Sequence, residues 1–275
     1  MWFELIQISV LISGLFLVAQ YLGSRSRRLA ELCCLISILI ISLIWILHLL
    51  HLYTLFSALD WITLSRLKFI LLAAAVTFGL AAGLNTITSF WRRMAVRASL
   101  IVFLYVFIVL PFVIPAAIQN ETRTLPLLLE GHGFCIQSRP YTCGPAAAVS
   151  ALSRVGISAR EGQIALGSRT APLLGTNMWD LYKTVERICE KEHIPCSYQR
   201  MADLDQLPPN SICMVSIKAG TFVSHCVTVL NYNDRYVTLA DPAVGLRYMT
   251  RREFNNTWYH TAVILTKPAA IVSLF

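Results

Sequence analysis

Four apolar runs restrict this chain more than any other feature. They cover roughly residues 3–22, 29–50, 70–84 with flanks, and 98–118. A helix needs about 20 apolar residues to cross the hydrocarbon core of a bilayer. The composition agrees: 56% of the 275 residues are hydrophobic and only 14% charged, which is too apolar for an ordinary soluble domain. The third run is the weakest, because Gly79 and Gly83 interrupt it; small residues there suit close helix packing. The first run lacks the basic start of a cleavable signal peptide, and its arginines follow the apolar stretch.

The net charge of +8 falls largely in short arginine clusters. Arg25, Arg27 and Arg28 separate runs one and two, and Arg92, Arg93 and Arg97 separate runs three and four. By the positive-inside rule both clusters are cytoplasmic, so four spans leave both termini outside. No basic stripe interleaved with aromatics marks a nucleic-acid surface. His48 and His51, three apart on one helix face, read as interfacial histidines rather than as metal or haem ligands. Pro111 and Pro115 are expected to kink run four.

Residues 131–266 have the mixed composition of a globular domain and suffice for one core. The expected organisation is therefore a four-helix transmembrane region over 1–118, a linker over 119–130, and a globular domain over 131–275. Within that domain the stretch QSRPYTCGPAAA places Cys143 at the start of a helix. Pro145 fits a first turn, Ala146–Ala148 and Leu152 propagate the helix, and Gly156 stops it. A thiol at a helix N-terminus sits in positive potential, which favours the reactive thiolate. Gln137, six residues upstream, can offer an N–H to a developing oxyanion beside the backbone N–H of Cys143.

A second helix is expected over 177–191 with Thr176 as its N-cap. Then come short runs rich in β-branched and aromatic residues, over 195–199, 212–218, 225–232, 235–240, 246–249 and 261–266. Turn residues punctuate them, and Asn233–Asp234 reads as a hairpin turn. Helices followed by an antiparallel sheet make an α+β arrangement. His225 opens one strand run and Asp241 ends the next. If the two pair as a hairpin, an imidazole and a carboxylate share its open end. The carboxylate would then fix the tautomer while the other ring nitrogen faces Cys143.

The order Gln137, Cys143 at a helix start, His225 in SHCVTVL and Asp241 in ADPAVG resembles the papain-like cysteine peptidases that process bacteriocins at double-glycine leaders. RREFNNTW, with Phe254 and Trp258, resembles that family's final helix. The resemblance implies that Cys143 is the nucleophile, His225 the general base, Asp241 its orienter and Gln137 the oxyanion-hole donor. No P-loop motif occurs, so the chain itself is not expected to be an ATP-driven exporter.

The expected activity is a membrane-anchored cysteine peptidase with its catalytic domain outside a bacterial cell membrane. Its partners would be a peptide or protein substrate, the lipid bilayer, and a separate secretion system, with no nucleic acid. No cofactor and no metal are expected: the cysteines show no C-x-x-C pair. Two alternatives use the same residues, namely a peptide-binding module that does not cut, and a cysteine acyltransferase or amidase. Outside the cytoplasm exposed thiols tend to pair. Cys189 and Cys196 are the first candidate pair, and Cys135 with Cys213 or Cys226 the next.

Overall fold

The structure is a computed structural model that describes residues 2–49, 66–208, 211–220 and 223–266. The connection over 53–65, His51 of the histidine pair, and Pro209–Asn210 of the 208–210 turn lie outside the described residues. The chain divides into two compact units, residues 1–117 and 118–275.

The first unit is all helical. It contains α1 (Trp2–Arg25), α2 (Arg27–Leu49), α3 (Leu67–Leu84) and α4 (Phe90–Leu104), the last continued by a π-helical stretch (Tyr105–Val113) and α5 (Ile114–Ala117). Among the described residues four helices are long and apolar enough to cross a membrane, with Phe90–Ala117 as one of them. The glycine-interrupted run is the central helix. In α3, 44% of the apolar stretch is buried, against 17% in α1 and α2. Its small residues explain this. Ala81 and Ala82 are fully buried, and a Cβ on Gly79 would come 2.8 Å from the Ser37 side chain of α2. Large apolar side chains such as Phe3, Val10, Leu39 and Trp45 point outward instead.

Pro111 produces a change of helical register. It cannot donate to the carbonyl four residues back, and the helix around it widens. The Ile114 N–H bonds to the Val109 carbonyl, five residues away, and nine residues adopt the π form.

The second unit is α+β. A six-stranded antiparallel sheet runs in the order β3-β8-β4-β5-β6-β7. Its strands are β3 (Cys196–Arg200), β4 (Ser211–Lys218), β5 (Ser224–Tyr232), β6 (Tyr236–Asp241), β7 (Gly245–Thr250) and β8 (Trp258–Thr266). The Asn233 side chain closes the β5–β6 turn by accepting from the N–H groups of Arg235 and Tyr236. Two further strands, β1 (Leu128–Leu129) and β2 (Cys135–Ile136), pair separately.

Both sheet faces are covered, so β4 is buried almost without alternation. On one face Ile212, Met214, Cys226 and Val263 pack against α7 (Cys143–Arg154) and α9 (Met178–Lys191). On the other, Cys213, Val215, Val227 and Leu239 pack with Phe254 of α10 (Arg251–Thr257) and with Trp258.

Several local expectations differ from the structure. Residues 119–130 contain a short helix, α6 (Gln119–Arg123), and β1. A further helix, α8 (Glu161–Gly167), packs against α6 and α7. Asn177, not Thr176, caps α9: its Oδ1 accepts from the N–H groups of Trp179 and Asp180. The Thr176 hydroxyl is instead bonded to that of Thr170 at 2.7 Å. Trp258 lies beyond α10 and opens β8, with its indole N–H donating to the Thr261 carbonyl.

Candidate active site

The helix α7 begins at Cys143, so the thiol stands on the first helical residue. The turn before it is closed locally. The Thr142 hydroxyl donates to the Arg139 carbonyl and accepts from the Arg139 N–H. Gly144 lies against Thr176, where a Cβ would come within 2.9 Å of the threonine Cβ. The helix ends where a left-handed glycine reverses the chain, Gly156 at φ +87°, and the Ile157 N–H reaches back to the Leu152 carbonyl.

β5 and β6 pair with Thr228 opposite Ala240. That register brings His225 and Asp241 to one end of the sheet. His225 Nε2 lies 2.6 Å from Asp241 Oδ1. The ring is largely buried, with 16% of its side chain exposed, and the carboxylate almost wholly so at 2%. With Nε2 engaged, Nδ1 is the nitrogen left for Cys143, which lies near enough to the ring for each group to shift the other's pKa. The Thr228 hydroxyl donates to the Ala147 carbonyl at 2.8 Å, which fastens β5 to α7 across the interval that the pair must span.

Asp241 has two partners that the sequence did not suggest. Its Oδ1 also accepts the Ala243 N–H at 2.9 Å, and its Oδ2 accepts from Arg247 Nη1 at 3.2 Å. The position of Arg247 in β7, just across the β6–β7 turn, is the only signal that could have found it. Gln137 is held from two sides. Its backbone N–H donates to the Pro242 carbonyl at 2.8 Å, next to Asp241. Its neighbour Ser138 donates through N–H and hydroxyl, both at 3.0 Å, to the fully buried Glu161 of α8. The Gln137 Oε1 is buried without a partner.

The electrostatics follow from this geometry. Burial raises the Cys143 pKa, but hydrogen bonds from the His225 ring and the Cys226 N–H, the imidazolium charge, and the Gly144 N–H bring it below its ordinary value. Burial lowers that of His225, and the hydrogen bonds and charges of Asp241 and Cys143 reverse this, raising it to about 9. Asp241 is likewise raised by burial and held below the carboxylate range by His225, the Ala243 N–H and Arg247. Such a set stabilises a thiolate beside an imidazolium, the form of cysteine that attacks acyl carbons.

The other thiols of this unit are free. Cys189 and Cys196, the first candidate disulfide, are both free, and each shifts the other's titration. Among the described residues no group of three or more His, Cys, Asp or Glu side chains is placed to hold a metal ion.

The chain is similar to several known proteins. It is 29% identical over 148 residues to an uncharacterized protein of Methanothermobacter thermautotrophicus, covering 54% of this chain and 98% of the relative. It is 33% identical over 117 residues to an uncharacterized protein of Methanothermobacter marburgensis, covering 42% of this chain and 75% of the relative. Among solved structures, the peptidase domain of Streptococcus ComA, a bi-functional ABC transporter involved in quorum sensing, aligns with 18% identity and a TM-score of 0.41, covering 48% of this chain and 96% of that one. A double glycine motif protease from an AMS/PCAT transporter, solved with its leader peptide, aligns with 14% identity and a TM-score of 0.41, covering 52% and 94%. The profile of the Peptidase C39 family matches residues 133–270, half of the chain, and the protein belongs to that family.

Proposed function

We propose that the protein is a membrane-anchored cysteine peptidase in which Cys143, His225, Asp241 and Gln137 form the catalytic set. The observation that carries this reading is the 2.6 Å bond between the Asp241 carboxylate and the His225 ring, beside a Cys143 thiol at the start of α7 whose pKa that ring lowers. The Cys143 thiolate attacks the carbonyl carbon of the scissile peptide bond. The oxyanion is met by the Gln137 side-chain amide and the Cys143 N–H. The His225 imidazolium gives its proton to the departing amine, then takes one from the water that hydrolyses the thioester. Asp241 keeps the ring in one tautomer and favours its charged form.

The four apolar helices support an integral membrane protein. Residues 1–117 form the membrane domain in this reading and residues 118–275 the catalytic one. The arginine clusters favour an extracytoplasmic catalytic domain. Family membership supports substrates among secreted or membrane-associated peptides, including those that lose a leader. Anchoring raises the local concentration of such substrates.

The full-length protein in nanodiscs should cleave peptides and react with epoxysuccinyl probes. Cys143→Ala and His225→Ala should abolish both. Full cleavage by either variant ends the proposal. A topology reporter fused after Phe275 that is active only in the cytoplasm reverses the orientation.

A further inference from the structure

At one end of the helical unit α1, α3, α4 and the α3–α4 connection enclose an open cavity of about 560 Å³. Its lining combines two chemistries. Arg93 and Arg97, one turn apart on α4, contribute guanidinium groups, while Phe16 of α1 and Leu100 of α4 contribute apolar surface. Gln20 and Asn85 add amides. These amides are anchored by bonds from Gln20 Nε2 to the Ala81 carbonyl and from Asn85 Nδ2 to the Gln20 carbonyl, at 2.9 and 3.0 Å.

Among the described residues no carboxylate is paired with either arginine. No Asp or Glu occurs between Asp60 and Glu121. Among the described residues of this unit the acidic side chains are Glu4 and Glu31. Glu31 pairs with Arg27, and Glu4 lies in the first turn of α1, four helical turns from Gln20. Arg93 has one bond, to the Thr88 carbonyl at 3.1 Å. Phe90 and Trp91, exposed at the start of α4, place this end at the level of lipid headgroups, where aromatic side chains concentrate.

We propose that this cavity holds the headgroup of an anionic phospholipid. The phosphodiester accepts hydrogen bonds from Arg93 and Arg97, the glycerol meets Gln20 and Asn85, and an acyl chain lies along Phe16 and Leu100. A soluble anion matches the arginines alone; a lipid matches both the basic and the apolar part of the lining. The inference rests on the membrane reading above but not on peptidase activity.

The test is native mass spectrometry of the full-length protein released from mixed micelles of phosphatidylglycerol and phosphatidylcholine. The wild type should retain one phosphatidylglycerol with at least tenfold preference. The double variant Arg93→Gln/Arg97→Gln should lose that preference. Arg92→Gln, which removes a neighbouring charge outside the cavity, and Arg93→Lys/Arg97→Lys, which keeps the charges, should retain most of it. Equal retention of both lipids by the wild type, or an undiminished preference in the glutamine variant, overturns the proposal. Displacement of the lipid by millimolar glycerol phosphate or inorganic phosphate also overturns it, by assigning the site to a free phosphate. Extraction of the protein from membranes by carbonate would instead refute the membrane reading, whereas loss of cleavage with lipid retained would touch only the peptidase reading.

Discussion

Replacing Asp241 with asparagine removes a negative charge 2.6 Å from the His225 ring and keeps the side-chain shape. In the native site the ring titrates at about 9 instead of 6.5, a difference on the order of 3 kcal/mol in favour of the imidazolium. Asp241 and Cys143 share that effect against the opposing cost of burial. An opposite charge at contact distance is typically worth about 1–3 pH units, so the alkaline limb of kcat/KM should fall from near 9 to roughly 6–8. Asparagine is poorly tolerated here for a second reason. Asp241 accepts from His225, the Ala243 N–H and Arg247 at once. An amide has a single acceptor oxygen, so its NH₂ must face one of those donors. The assay is the pH dependence of peptide cleavage together with that of Cys143 alkylation by iodoacetamide. The alkylation rate at pH 7 should drop by roughly tenfold, because one pH unit in the thiol titration corresponds to that factor. An alkaline limb that stays near 9 in the folded variant would refute the claim that Asp241 holds the ring charged. Stability gives a second readout. The ring's folded pKa is raised, so its contribution is complete below about 6.5 and lost as pH climbs through about 9. The aspartate's folded pKa is depressed, so its contribution is lost as pH falls below the ordinary carboxylate range. The melting-temperature advantage of wild type over Asp241→Asn should therefore shrink at both extremes.

Arg247→Met should act in the opposite sense on the ring, moving the alkaline limb up by a few tenths of a pH unit, since a guanidinium near the imidazolium repels it; a downward shift would show that Arg247 works chiefly by orienting Asp241. Glu161→Ala should reduce kcat by about 10–100-fold, a fraction of the usual cost of losing an oxyanion donor, while the alkylation rate and its pH profile stay native; equal losses in both assays would show a general structural defect. Gly144→Ala should destabilise the globular unit by about 1–3 kcal/mol through overpacking against Thr176, measured by thermal or urea unfolding, and a neutral result would mean that Thr176 can move aside.

Much of the globular unit was legible because its strands alternate between runs such as CVTVL and turn residues such as Asn233–Asp234. The turn marks where β5 gives way to β6, and counting back along both strands brings His225 and Asp241 to one end. What escaped depended on competition between neighbours. Thr176 and Asn177 are both good caps, and only the Thr170 hydroxyl and the approach of Gly144 decide which one is free to cap α9. The helix Glu161–Gly167 is seven residues long and too short to show a period. Glu161 looks like any first-turn carboxylate until Ser138 is folded against it. RREFNNTW looks helical through Trp258, but the aromatic contact with Phe254 is made equally from a strand, so the side-chain pattern does not reveal the backbone. In the helical unit, the glycines that weakened the third run as an apolar signal are what allow it to become the central helix.

The thiols of the globular unit differ sharply in accessibility. Cys135, Cys189, Cys213 and Cys226 are all buried. Burial pushes the first and third of the buried four up to about 12 and the last well above its ordinary value. Cys196 is half-buried but raised by its bond to Cys189 and by desolvation. Only Cys143 joins partial exposure to a lowered pKa. Within the globular unit a limiting dose of a mild electrophile therefore counts competent molecules one for one, with no need to mask that unit's other sulfurs, and a preparation can be standardised by the labelling stoichiometry of that unit.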